Sequence, residues 1–120
     1  MEHTMQDYEL DAYLGEFAAT EEQREALLRA SDLIDARYPD PDRQHSAEAA
    51  FTAAYQVIVG DDTLEQIAGE WRRARVVERE AMERLTGAIA GSASTGVFET
   101  TISETAGVDR QTVRKALGKK

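Results

Sequence analysis

Arg110, Gln111, Thr112, Arg114 and Lys115 place five hydrogen-bonding side chains within six residues near the C-terminus, and Lys119 and Lys120 follow them. A guanidinium can pair bidentately with a guanine edge and a carboxamide with an adenine edge, while hydroxyl and ammonium groups suit phosphate oxygens. Little else in the sequence offers chemistry. There is no cysteine, which removes a disulfide framework, thiolate metal sites and a thiol nucleophile. The only imidazoles are His3, expected in a frayed terminus, and His45, expected to be solvated near a helix start. Asp61 and Asp62 lack the further oxygen ligands a hard cation needs and read as a helix cap and its neighbour. No nucleophile and base pair, phosphate loop or metal cluster can be assembled, so the chain reads as a binding protein, not an enzyme, with no cofactor and no metal.

Charge sorting narrows the partner. The net charge is -9 over 120 residues, but residues 1–62 hold 15 Asp/Glu against 4 Lys/Arg. Residues 63–96 balance at five of each, and residues 97–120 hold three acids against five bases. A polyanion is repelled by the acidic part, so any nucleic-acid contact must come from the last segment. The acidic half reads as a solvated face, a shield against nonspecific DNA contact, or a docking surface for a protein partner. A length of 120 residues suits one domain, or one compact domain with a short appendage, and apolar residues at 42% with charged residues at 31% describe ordinary globular chemistry. The apolar run Val57-Ile58-Val59 is too short to span a bilayer and Met1-Glu2-His3 lacks a basic signal start, so no membrane contact and a cytoplasmic location are expected.

The elements that must position the basic cluster are helical, since apolar residues recur at the helical period and no segment alternates as a strand does. Leu10, Tyr13, Leu14 and Phe17 predict a helix near residues 5–18. Thr20-Glu21-Glu22-Gln23 has the form of a capping box, opening a second helix with Leu27, Ala30, Ile34 and Tyr38 on one stripe until Pro39-Asp40-Pro41 ends it. Ala47, Ala50, Phe51, Ala54, Tyr55 and Ile58 mark a third, closed by Gly60. Asp62-Thr63-Leu64-Glu65 then opens a long helix over residues 63–90, with Ile67, Trp71, Ala74, Val77, Ala81, Leu85 and Ala88 on its stripe and Met82 and Ile89 widening it. At ~1.5 Å per residue it spans ~40 Å, more than one small core needs, so Ile67, Trp71, Ala74, Val77 and Ala81 are candidates for an interface between two copies. Trp71 is expected in the core or in that interface. Arg72, Arg73, Arg75, Arg79 and Arg84, interleaved with glutamates, are expected to pair along the helix. Gly91-Ser92-Ala93-Ser94-Thr95-Gly96 predicts a mobile loop.

The stretch from Thr100 to Leu117, with Ala106-Gly107-Val108 at its turn and Gln111-Thr112-Val113 after it, resembles the helix-turn-helix of bacterial transcription regulators, the lac-repressor type in particular, over about residues 97–117. Gly107 stands where the turn needs a positive backbone angle. Ile102, Val108, Val113 and Ala116 would press the two short helices together, with Met82, Leu85 and Ile89 of the long helix as third member. The resemblance implies that the second helix enters a major groove. Arg110, Gln111 and Lys115 then become base contacts, and Thr100, Thr101, Thr112, Arg114, Lys119 and Lys120 phosphate contacts. Two positions depart from the family pattern: Phe98 replaces the usual Ser/Thr cap and is expected to pack on Leu85 or Ile89, and Ser103 replaces an alanine.

The expected architecture is all-α: an acidic helical region over residues 1–60, a long connecting helix over 61–93 and a helix-turn-helix over 94–120 forming a three-helical unit. The expected activity is sequence-specific binding of double-stranded DNA as a homodimer. The alternative is a helical interaction or assembly module whose hairpin packs on a protein.

Overall fold

A computed structural model describes residues 3–120; Met1 and Glu2, which open the sequence, lie outside the described residues. Those residues are all-α, without a strand: α1 Asp7–Leu14, α2 Glu21–Arg37, α3 Gln44–Val59, α4 Leu64–Ser94, α5 Glu99–Ala106 and α6 Arg110–Ala116, with a 3-10 turn at Pro41–Arg43. Contacts divide the chain into two compact units, one up to Ala68 and the other Gly69–Lys120.

In the first unit, Leu10, Leu14, Leu27, Leu28 and Phe51 are buried together, with Ile34, Tyr55 and Ile58 packed against them. Burying each such side chain contributes about 1.5–3 kcal/mol, enough to hold short helices that would be marginal alone. Tyr13 meets Phe51 edge to face at 4.9 Å and Tyr55 at 5.4 Å, and Phe17 meets Tyr55 at 5.9 Å. α1 is shorter than its apolar spacing predicts, because Gly15 takes a positive φ of 59° directly after Leu14 and turns the chain out of the helix. The capping box at α2 is present in both directions: Gln23 N donates to Thr20 Oγ1 at 3.1 Å, and Thr20 N to Gln23 Oε1 at 2.9 Å. Gly60, at φ 87°, closes α3 while Asp61 N reaches back to Gln56 O at 2.8 Å.

His3 is not frayed. Its Nδ1 lies 2.6 Å from Asp32 Oδ2 and its Nε2 2.8 Å from Glu25 Oε1, while Thr4 N donates to Asp32 Oδ1 at 2.9 Å. Glu25 and Asp32 stand two helical turns apart on one face of α2, so a single imidazole fits between their carboxylates.

The cap of α4 is Thr63, one residue later in the chain, not one of the aspartates Asp61 and Asp62 as expected: Thr63 Oγ1 accepts from Gln66 N at 3.1 Å, while Asp62 accepts from Thr63 N at 2.8 Å. The helix then runs through the predicted loop as far as Ser94. Its hydroxyls are absorbed locally, Ser94 Oγ donating to Ala90 O at 2.7 Å and Thr95 Oγ1 to Ser92 O at 2.9 Å. Ala93 packs on the core, and the stop comes at Gly96, φ 95°, where Val97 N returns to Ser92 O and Gly96 N to Ala93 O in a Schellman arrangement.

The second unit is centred on Ile89, Ile102 and Val113, all buried, with Leu85, Ala93, Val108, Ala116 and Leu117 around them. Met82 does not join this core, as the spacing suggested, but is 48% exposed; Ala93, one turn beyond Ile89, packs there instead. Every residue from Glu70 to Arg84 is exposed, Trp71 among them at 58%, so Trp71 lies in no core of this chain. Nor do the arginines of this stretch pair with its glutamates: among the described residues no ion pair falls within α4. Arg75 instead stacks on the Trp71 ring at 4.9 Å.

Candidate nucleic-acid interface

α6 owes its position to Val113, which is fully buried against Ile89 and Ile102. Side chains advance ~100° per residue on a helix, so Gln111 and Lys115, one turn apart, both stand roughly opposite Val113. Both are exposed, as is Arg110 in the first turn. Among the described residues, none of the three makes a side-chain hydrogen bond or ion pair. These are the side chains assigned to base edges from the sequence, and the fold leaves them extended into solvent on a short, anchored helix.

The turn before α6 is fixed at three points. Gly107 takes φ 71°, and a Cβ there would meet nothing within 4 Å, so the residue is needed for its backbone angle alone. Asp109 caps α6 by accepting from Thr112 N at 2.7 Å. That bond, with help from the Thr112 hydroxyl and the Lys115 charge, holds its carboxyl below the usual range despite opposing desolvation. Ser103 Oγ donates to Val108 O at 2.6 Å across the turn. Ser103 thus ties α5 to the turn, a role visible in sequence only as a hydroxyl at a small-residue position.

Phe98 does not pack on Leu85 or Ile89. It is 79% exposed at the N-cap position of α5, where its backbone is extended and its ring, lacking a hydrogen-bond acceptor, supplies no side-chain cap. Thr100 and Thr101 are exposed in the first turn of α5, and Thr112 is half-buried.

Two further cations, Arg114 and Lys119, are engaged. Arg114 Nη1 lies 3.3 Å from Glu99 Oε1 and Lys119 Nζ 3.4 Å from Glu99 Oε2, with only 19% of the Glu99 side chain exposed. Arg114 also donates Nη2 to Lys120 O at 2.9 Å, while the Lys120 residue itself is exposed. Glu99 was not singled out from the sequence. The available signal was an acid one helix before two cations, which becomes a clasp only once α5 and α6 are folded on each other.

Among the described residues, no group of three His, Asp or Glu side chains could hold a metal ion, and no helix is long and apolar enough to cross a membrane. No family model matches the chain, and comparison with curated proteins and with solved structures yields no match either.

Proposed function

We propose that the protein binds double-stranded DNA sequence-specifically through a helix-turn-helix formed by α5 and α6, as a small bacterial transcription regulator acting in the cytoplasm. The observation that carries this reading is the exposed face of α6. Gln111 and Lys115 extend from the side of the helix opposite the buried Val113, Arg110 is exposed in its first turn, and none of the three is spent on the protein's own surface. In a major groove, Arg110 suits a guanine edge and Gln111 an adenine edge, with Lys115 beside them. Thr100, Thr101, Thr112 and Lys120 suit phosphates directly; Arg114 and Lys119 do so on exchanging Glu99 for a phosphate. The acidic residues 1–62 resist nonspecific binding and leave only the C-terminal segment attractive to a polyanion.

One such helix with a few cations binds weakly, so two copies acting on paired half-sites are part of the proposal. The protein does this without cofactor, metal or catalysis. Selecting bound duplexes from a random pool, then titrating them by fluorescence anisotropy at several salt concentrations, tests the reading. A recovered motif bound far more tightly than scrambled duplex supports it; indifference to sequence at all salt concentrations refutes it.

A further inference from the structure

We infer that the exposed stretch Glu70–Arg84 of α4 pairs with the same stretch of a second copy in antiparallel orientation, centred near Val76. This rests on the two-copy reading above and adds to it a face, a direction and a register.

Fifteen consecutive exposed residues in the middle of a helix have no packing to stabilise them, and helices of that length are marginal alone. The stretch nevertheless carries Trp71 58% exposed, Val76 50%, Val77 65% and Met82 48%. Ile67, Trp71, Ala74, Glu78, Ala81 and Leu85 follow one another at alternating spacings of four and three, the seam of a left-handed coiled coil. Val77 lies just beside that seam.

Direction follows from what sits on it. Parallel pairing sets each seam residue against its own copy, so Glu78 would face Glu78 inside an apolar contact and the two indoles would crowd one layer. Antiparallel pairing about position 76 sets Trp71 against Ala81 of the second copy and Ala74 against Glu78. A large ring then meets a methyl group, and each carboxylate escapes its twin. Glu70 comes opposite Arg84 on one flank, where opposite charges meet, and on the other flank the two Arg75 side chains, close to each other across the axis, each lie next to Glu78 of the other copy. Among the described residues, Glu70, Glu78 and Arg84 have no ion pair within the chain that would have to be broken first.

The arrangement has a consequence for the proposed DNA contact. Ile89, in the core that holds α6, lies thirteen residues beyond the centre, or ~20 Å at ~1.5 Å per residue, so the two cores fall ~40 Å apart. That is the scale of the ~34–36 Å between half-sites on one face of a duplex. Parallel pairing would instead put both cores at the same end.

The chain has no cysteine, so introduced thiols report without background. Full-length Ala74→Cys and Glu78→Cys variants are mixed, oxidised and read by intact mass, and Ala81→Cys is oxidised alone. Antiparallel pairing predicts a mixed 74–78 disulfide and an Ala81→Cys variant that stays reduced, because its two thiols stand ~15 Å apart along the axis, beyond the ~7 Å Cα separation a disulfide spans. A homotypic Ala81→Cys disulfide overturns the inference in favour of parallel pairing. A wild-type chain that sediments as a monomer at 100 µM overturns self-pairing altogether. Duplex titration of the wild-type chain separates these failures from failure of the DNA-binding reading, since sequence-dependent binding can persist in either case and can be absent even when the mixed disulfide forms.

Discussion

Glu99→Gln is expected to strengthen DNA binding while leaving the fold in place. Glu99 holds two cations at once, Arg114 at 3.3 Å and Lys119 at 3.4 Å, on the segment proposed to meet the duplex. Half-exposed pairs of this kind contribute about 0–1 kcal/mol each, and glutamine keeps a neutral acceptor in place, so melting should shift only slightly. Freed cations act differently on a polyanion. Each additional phosphate neutralised steepens the slope of log affinity against log salt by about 0.9, which at 0.1 M salt corresponds to roughly eightfold in affinity. Both cations together set an upper limit of about 1.8 on the change in slope, and partial exchange in the wild type brings the expected gain nearer one cation than two. Anisotropy titrations of wild type and variant on the same duplex between 50 and ~300 mM salt read both quantities. Affinity and slope unchanged, with the fold intact by circular dichroism, would mean that Arg114 and Lys119 do not approach phosphate.

Val113→Ala removes two methyl groups from a fully buried site in a core of three buried side chains; a loss of about 2 kcal/mol is expected in urea unfolding followed by helix content, and a change under 0.5 kcal/mol contradicts the packing account. Gly107→Ala meets no atom within 4 Å and so reports backbone strain alone, about 1 kcal/mol, whereas a neutral or stabilising effect means the turn tolerates a different φ. The His3 clasp should depend on pH. Hydrogen bonds to Asp32 and then Glu25 raise the His3 pKa above 6.5, and the His3 bond, with that from Thr4, lowers Asp32 below 3.8. The His3 contribution is therefore complete below about pH 6.5 and lost as pH rises through the raised value, while that of Asp32 is complete above about pH 4 and lost as pH falls through the lowered one. An NMR titration should place His3 lower in Asp32→Asn than in wild type; equal values rule out the clasp.

Local patterns in the sequence translated well where one residue type settles one local conformation. The Thr20 box, Gly60 and Gly107 each satisfy or release particular backbone groups, and the long helix follows from its apolar spacing. What was hidden depends on contacts made only once the chain has folded back on itself. Nothing at His3 announces Glu25 and Asp32, nothing at Glu99 announces Lys119, and the Ser103 hydroxyl finds Val108 only after Gly107 has turned. The predicted loop at 91–96 misread Ser94, whose hydroxyl bonds back to Ala90 O of its own helix, and Ala93, which the core recruits. Phe98, expected to pack on Leu85 or Ile89 where the usual cap residue is missing, stands exposed at the N-cap position instead. On α6 the exposed Arg110, Gln111 and Lys115 could be read from spacing, whereas the engagement of Arg114 by Glu99 could not.

Under the proposed function, exposed side chains of α6 read base sequence. The most direct test compares Arg110→Ala, Gln111→Ala and Lys120→Ala on the selected duplex and on single-base variants of it. Loss of Arg110 or Gln111 should cost about 1–3 kcal/mol on the selected duplex and flatten discrimination at one base pair each. Loss of Lys120 should weaken every duplex alike and reduce the salt slope by about one. If all three variants shift every duplex by the same factor, α6 does not read bases.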